Sequence, residues 1–162
     1  MSFKNSLIRG STAAASVYLM IVLSTPLHSA PTHLIREIPL IGLSDLAIAS
    51  YDNYGPVIYF NPELARQLGP WLTEFFRAHE LGHHKLGHLQ RERFAATPFN
   101  RAWLRQSYER EADCYAAQKI SPYAVMAAIE YFVATQGPTR PDWQHPTGYE
   151  RVAVIRDCAG EP

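Results

Sequence analysis

Apolar and polar positions along the chain sort into short elements separated by turn chemistry. Two brief apolar runs, Leu46 to Tyr51 and Val57 to Phe60, read as strands. The Asp52-Asn53-Tyr54-Gly55 stretch between them is hairpin turn chemistry. Asn61-Pro62-Glu63 then opens a short helix, with Asn61 as its cap and Pro62 in the first turn. Gly69-Pro70 ends that helix and opens a longer one, about Trp71 to Leu89. After a loop holding Pro98 and Asn100, further helices are expected over about Arg101 to Lys119, from Ser121-Pro122 to about Ala134, and over about Gly148 to Asp157. Gly137 to Trp143, with Pro138 and Pro141, reads as loop. Residues 31–44 read as an extended lead-in, with the folded domain spanning 45–162. A small hairpin followed by a helical bundle is an α+β class.

The first thirty residues follow a different rule. Lys4 and Arg9 supply a positive start, Ala13 to Leu23 an apolar run, and Ser29-Ala30 a small-residue site. That is the pattern of an export signal. The apolar run is short for a membrane span, and a retained N-terminal anchor is the other reading of it. Either way the remainder is expected to lie outside the cytoplasm, secreted or periplasmic. Membrane contact is expected only if residues 1–30 are retained. Export permits a disulfide between Cys114 and Cys158, the two cysteines of the chain; two free buried thiols are the alternative.

Composition narrows the chemistry. At 162 residues and 47% hydrophobic, the chain can bury a core. Fifteen basic residues balance fifteen acidic ones, so no basic face for nucleic acid is expected. No Gly-rich phosphate loop is present. What stands out is seven His, several of them clustered.

His79-Glu80-Leu81-Gly82-His83 is an HExxH run inside a predicted helix. Residues four apart lie on one helical face, so both imidazoles can reach one metal ion. Glu80 sits about 100° round the axis, beside that ion, where it can take a proton from water. Roughly 0.02 such matches are expected by chance in a chain of this composition. His84 and His88 are also four apart but face elsewhere; they read as partly exposed or as partners of the ligands. A third histidine ligand of the HExxHxxGxxH type fails, because Leu86 and Leu89 stand where Gly and His would be needed.

A carboxylate from a second helix is then the natural third ligand. In Glu109-Arg110-Glu111-Ala112-Asp113, Glu109 and Asp113 share a face. Glu109 is assigned to the metal and Asp113 to the other ring nitrogen of a ligating His. Glu111 remains an alternative ligand. Small Ala112 and Ala116 would let the two helices approach closely.

HELGH followed by EREAD resembles the HExxH…ExxxD pattern of gluzincin metallopeptidases, most nearly the HtpX, BepA and CAAX-prenyl-endopeptidase type. His145-Pro146 followed by Arg151 matches a late His-Pro signature of that group. The likeness covers roughly residues 45 to 157. The short motifs also resemble ImmA/IrrE-type peptidases, which are usually cytoplasmic. The resemblance implies a minimal zincin-like domain binding Zn2+ through His79, His83 and Glu109, with Glu80 as general base and a protein or peptide as substrate. It implies an oxyanion donor as well, for which His145 is the first candidate, with Tyr149 and Arg151 behind it. The strand Val57 to Phe60 is either an exposed edge that pairs with substrate or simply a hairpin strand. A non-hydrolytic zinc-dependent chaperone or adaptor of the cell envelope is the competing expectation.

Overall fold

The computed structural model describes residues 34–160; the signal-like segment 1–30 lies outside the described residues. A three-stranded sheet is followed by five helices. Strand β2 (Ala47–Asp52) turns at Asn53-Tyr54 into β3 (Gly55–Phe60), pairing antiparallel from Ala47↔Phe60 to Asp52↔Gly55. The Asp52 carboxylate accepts from the Tyr54 amide at 2.8 Å, and Gly55 takes a φ of 113° to close the turn.

The lead-in is more than a lead-in. Arg36–Pro39 forms β1, which pairs parallel with β3, Arg36 opposite Val57. An Arg36–Asp52 ion pair reinforces it. The sheet order is β1-β3-β2, so Val57 to Phe60 is the central strand and not an edge. The expectation of an exposed substrate-pairing edge at β3 is therefore corrected; β2 is the edge nearest the helices.

Helix α1 runs Pro62–Lys85 with a break at Gly69 (φ 82°, ψ 173°), as the Gly-Pro step predicts. Asn61 caps it, accepting from the amides of Glu63 and Leu64, and its amide group donates to the Leu43 carbonyl at 2.7 Å. The helix stops four residues before the expected Leu89. Gly87 adopts φ 70°, a left-handed conformation that ends α1, and a separate α2 follows at His88–Ala95. Helices α3 (Arg101–Ala117), α4 (Pro122–Thr135) and α5 (Gly148–Ala159) lie within two residues of the expected bounds. Ser121 caps α4, and its amide and hydroxyl both donate to Glu74 of α1. Thr147 and Glu150 form a reciprocal capping box on α5.

The core lies where α1, α3, α4 and α5 meet, around Phe75, Ala116, Val125, Phe132 and Ile155. Phe75 and Phe132 are fully buried and pack edge to face at 5.8 Å. Each contributes about 1.5–3 kcal/mol by burial. Cys114 on α3 and Cys158 on α5 pair as a disulfide, their Cα atoms 5.2 Å apart. Gly82 lets α1 and α3 approach: a Cβ there would meet Tyr115 and the Ala112 backbone at 3.1–3.3 Å. Its space serves the contact between the two helices.

Candidate metal centre

Two helices bring three donors together. His79 and His83 lie one turn apart on α1, and Glu109 faces them from α3. One donor atom from each lies within 4.8 Å of the other two. The two Nε2 atoms are 3.1 Å apart; Glu109 oxygens stand 3.1 Å from His79 Nε2 and 3.4 Å from His83 Nε2. Ligands held tetrahedrally about 2.0–2.1 Å from one ion stand about 3.3–3.4 Å from one another. The triangle thus has the size of three corners of such a site. Two imidazole nitrogens facing each other across 3.1 Å share either a hydrogen or a cation, and with Glu109 at the third corner the space between them suits a cation. The residues present fit a metal ion.

The surroundings hold each donor. His79 Nδ1 lies 2.8 Å from Asp113 Oδ1. Asp113 is fully buried and accepts from Arg151 of α5 twice, at 2.8 and 2.6 Å. Arg151 is itself 4% exposed, with its guanidinium 4.0 Å from the Phe132 ring. It lines the floor of the cleft that opens over the cluster, with its guanidinium engaged by Asp113. Burial disfavours the His79 imidazolium, but Asp113 and Glu109 overcome it and raise its pKa to about 10. Burial likewise works against the Glu109 charge, yet hydrogen bonds from His79 and His83 hold its carboxyl well below the ordinary range.

Glu80 stands beside the cluster on the sheet side. Burial raises its pKa, against the opposing pull of His79 and His83. One of its oxygens accepts from the Ala49 amide of β2 at 2.7 Å, which ties the HExxH helix to the sheet edge. A cleft of about 720 Å³ opens over this group. Ser44 to Ala49 form one wall, Leu64, Leu68 and Phe76 an apolar end, and Arg105, Gln144 and His145 a polar end.

No protein-family model, curated protein or solved structure matches this chain.

Every residue expected at the metal converges there. His145 also lines the cleft, its Nε2 3.8 Å from Glu109 Oε2 and its Nδ1 2.9 Å from Asp142. Tyr149 does not line the cleft; it is half exposed and lies against Gly137. Glu111 is turned from the cluster toward α2. Both extra histidines are buried. His84 donates from Nε2 to the Val57 carbonyl at 2.9 Å, fastening α1 to the central strand. His88 contacts His83 at 3.1 Å, and burial together with His83 pushes its pKa down to about 4. Two contributions escaped the sequence reading. The Ala49–Glu80 bond has no local signal. Arg151 reads from the sequence as either an oxyanion donor or a structural ion pair, and nothing local names Asp113 as its partner.

Proposed function

We propose that this chain is a zinc-dependent metalloendopeptidase of the gluzincin type, built on a minimal zincin-like domain. The observation that carries the reading is the convergence of His79, His83 and Glu109 beneath an open cleft, with the buried carboxylate of Glu80 next to them. A site that only braced a fold would have no need of such a base or of an open side.

His79, His83 and Glu109 would hold the ion. When bound, zinc supplies Lewis acidity toward a peptide carbonyl and makes water acidic near neutral pH. Glu80 accepts the proton given up by the attacking water and returns it to the leaving amine. The Ala49 amide keeps that carboxylate from swinging away, and its raised pKa brings it nearer the range where a base can both take and give a proton. His145 donates from Nδ1 to Asp142, which aims its Nε2 at the cleft wall; when both ring nitrogens carry hydrogen, Nε2 can donate to the oxyanion that develops on the substrate. Among the described residues the outer edge of β2 has no strand partner and borders the cleft, so an extended substrate backbone can lie along it beside the Ala49 amide that Glu80 holds.

The Cys114–Cys158 disulfide suits an oxidising compartment, secreted or periplasmic. No helix among the described residues is long and apolar enough to cross a membrane.

Cleavage of unfolded casein and a mixed peptide library tests the reading. The wild-type chain should cleave, and Glu80→Gln should lose at least 100-fold of that activity while still binding zinc. Chelation should abolish cleavage and zinc restore it. One equivalent of zinc bound with no cleavage of any unfolded substrate would sink the reading in favour of a non-hydrolytic envelope module.

A further inference from the structure

Gly87 does more than end α1. Its left-handed φ of 70° turns the chain so that His88, the first residue of α2, points back beneath His83. His88 Nδ1 lies 3.1 Å from His83 Nδ1, and His88 Nε2 lies 3.1 Å from Glu111 Oε2. The imidazole is 2% exposed and stacks on Tyr108, the ring centroids 4.5 Å apart and the planes 11° from parallel. Glu111 is held in turn: Arg91 donates to Oε2 at 3.0 Å and Ser107 to Oε1 at 3.2 Å.

The hydrogens in this chain follow from its two ends. An ionised carboxylate only accepts, so His88 donates to Glu111 from Nε2. At the other end, a His83 that ligates through Nε2 carries its hydrogen on Nδ1, and His88 Nδ1 is placed to accept it. The His83–His88–Glu111 contacts are satisfied together by the arrangement a metal ligand needs.

We propose that His88 and Glu111 are positioning residues that hold His83 in its ligating tautomer and orientation, as Asp113 does for His79. The proposal rests on the metal reading above. It gives Glu111 a role other than that of a ligand, and it means that the two histidines of HExxH are oriented by independent chains of contacts. Asp113 and Arg151 serve one; His88, Glu111 and Arg91 serve the other.

The test compares His88→Phe, His88→Asn and Glu111→Leu with wild type in the full chain. Phenylalanine keeps the ring stacked on Tyr108 and removes both nitrogens. Asparagine places an amide oxygen near the position of Nδ1. Three quantities are read: zinc affinity by competition with a chromophoric chelator, the visible spectrum of the cobalt-substituted protein, and the melting temperature of the metal-free chain. His88→Phe should weaken zinc 10- to 100-fold and shift the cobalt bands, with the metal-free melting temperature near wild type. His88→Asn should recover most of that affinity. Glu111→Leu, at a half-exposed position where folding is secure, should weaken zinc several-fold in the same sense. Wild-type affinity in both His88→Phe and Glu111→Leu would overturn this proposal and leave the metal reading standing. So would an affinity loss that follows metal-free stability and is not rescued by asparagine, since that is packing alone. Failure of the wild-type chain to bind zinc, with His79→Ala indistinguishable from it, would overturn the metal reading and this proposal together.

Discussion

Gly82→Ala puts the helix contact beneath the metal cluster to a test of sign. In an exposed helix interior the change would stabilise by about 1 kcal/mol, because alanine has the lower backbone entropy cost. Gly82 is not exposed. Its new methyl would stand 3.1 and 3.2 Å from Tyr115 Cδ1 and Cβ, and 3.3 Å from the Cα of Ala112. The latter two atoms cannot swing aside by rotating a side chain, so α3 has to retreat by a few tenths of an ångström. Overpacking of this kind costs about 1–3 kcal/mol. The balance is a net loss of about 1 kcal/mol, or roughly 2–6 °C in melting temperature.

The same retreat moves Glu109 away from His79 and His83, so zinc affinity should fall along with stability. Circular dichroism melts of the metal-free chain and chelator competition read the two effects separately. A rise of about 1 kcal/mol with unchanged zinc affinity would refute the reasoning. It would mean that α1 and α3 do not touch at Gly82, and the donor triangle depends on that contact.

Other perturbations probe the supports of the site. Arg151→Met leaves the buried Asp113 carboxylate with His79 alone and should cost about 3–5 kcal/mol in urea unfolding; a loss below about 1 kcal/mol would show that His79 suffices to hold that charge. Removing the disulfide with Cys114→Ala and Cys158→Ala frees a loop closed across 44 residues, worth about 4 kcal/mol in the chain-entropy picture, and an unchanged urea midpoint would contradict it. The α5 cap is pH-dependent. The Thr147 amide holds the Glu150 carboxyl below its ordinary pKa, so its contribution is complete above the unfolded value of about 4.3 and disappears as pH falls through the lowered folded value. Glu150→Ala should therefore cost about 0.5–1 kcal/mol at pH 7 and converge on wild type near pH 3; a pH-independent gap would argue against the capping box.

What could be read from the sequence was what repeats at helical spacing. His79 with His83 and Glu109 with Asp113 are each four apart, so each pair shares a face whatever the rest of the chain does. Asn61, Ser121 and Thr147 announce helix starts through local hydrogen bonds. Contacts between residues distant in sequence were not readable. Strand β1 pairs with β3 across about twenty residues and in parallel, which leaves no turn signature between them, and its Pro39 weakened the local strand signal. Without that strand, an exposed edge and a plain hairpin strand are equally open readings of β3. The position of His88 depended on one backbone angle at Gly87. The residue was visible and its consequence was not, because glycine permits the left-handed conformation without requiring it.

The Glu109–Asp113 segment separates two kinds of buried charge, and the separation bears on why the chain keeps them. Both carboxylates face inward, at the cost of burying acid groups among apolar residues. Asp113 is matched by Arg151, a cation that cannot lose its proton, so removing Asp113 leaves a buried charge that has no way to neutralise. Glu109 is matched by imidazoles, which can. If Glu109 is replaced by leucine, His79 loses one of the two carboxylates that raise its pKa to about 10, and the pocket relaxes toward neutrality. Glu109→Leu should therefore leave metal-free stability within about 1 kcal/mol of wild type, or raise it, because apolar packing commonly matches or exceeds a buried ionic cluster. Zinc binding should fall at least 100-fold, a loss of about 2.7 kcal/mol or more. Parallel urea titrations and chelator competition measure both. Should Glu109→Leu instead unfold the metal-free chain as severely as Arg151→Met, Glu109 would be a brace of the fold, and its approach to the two histidines would need no ion to explain it.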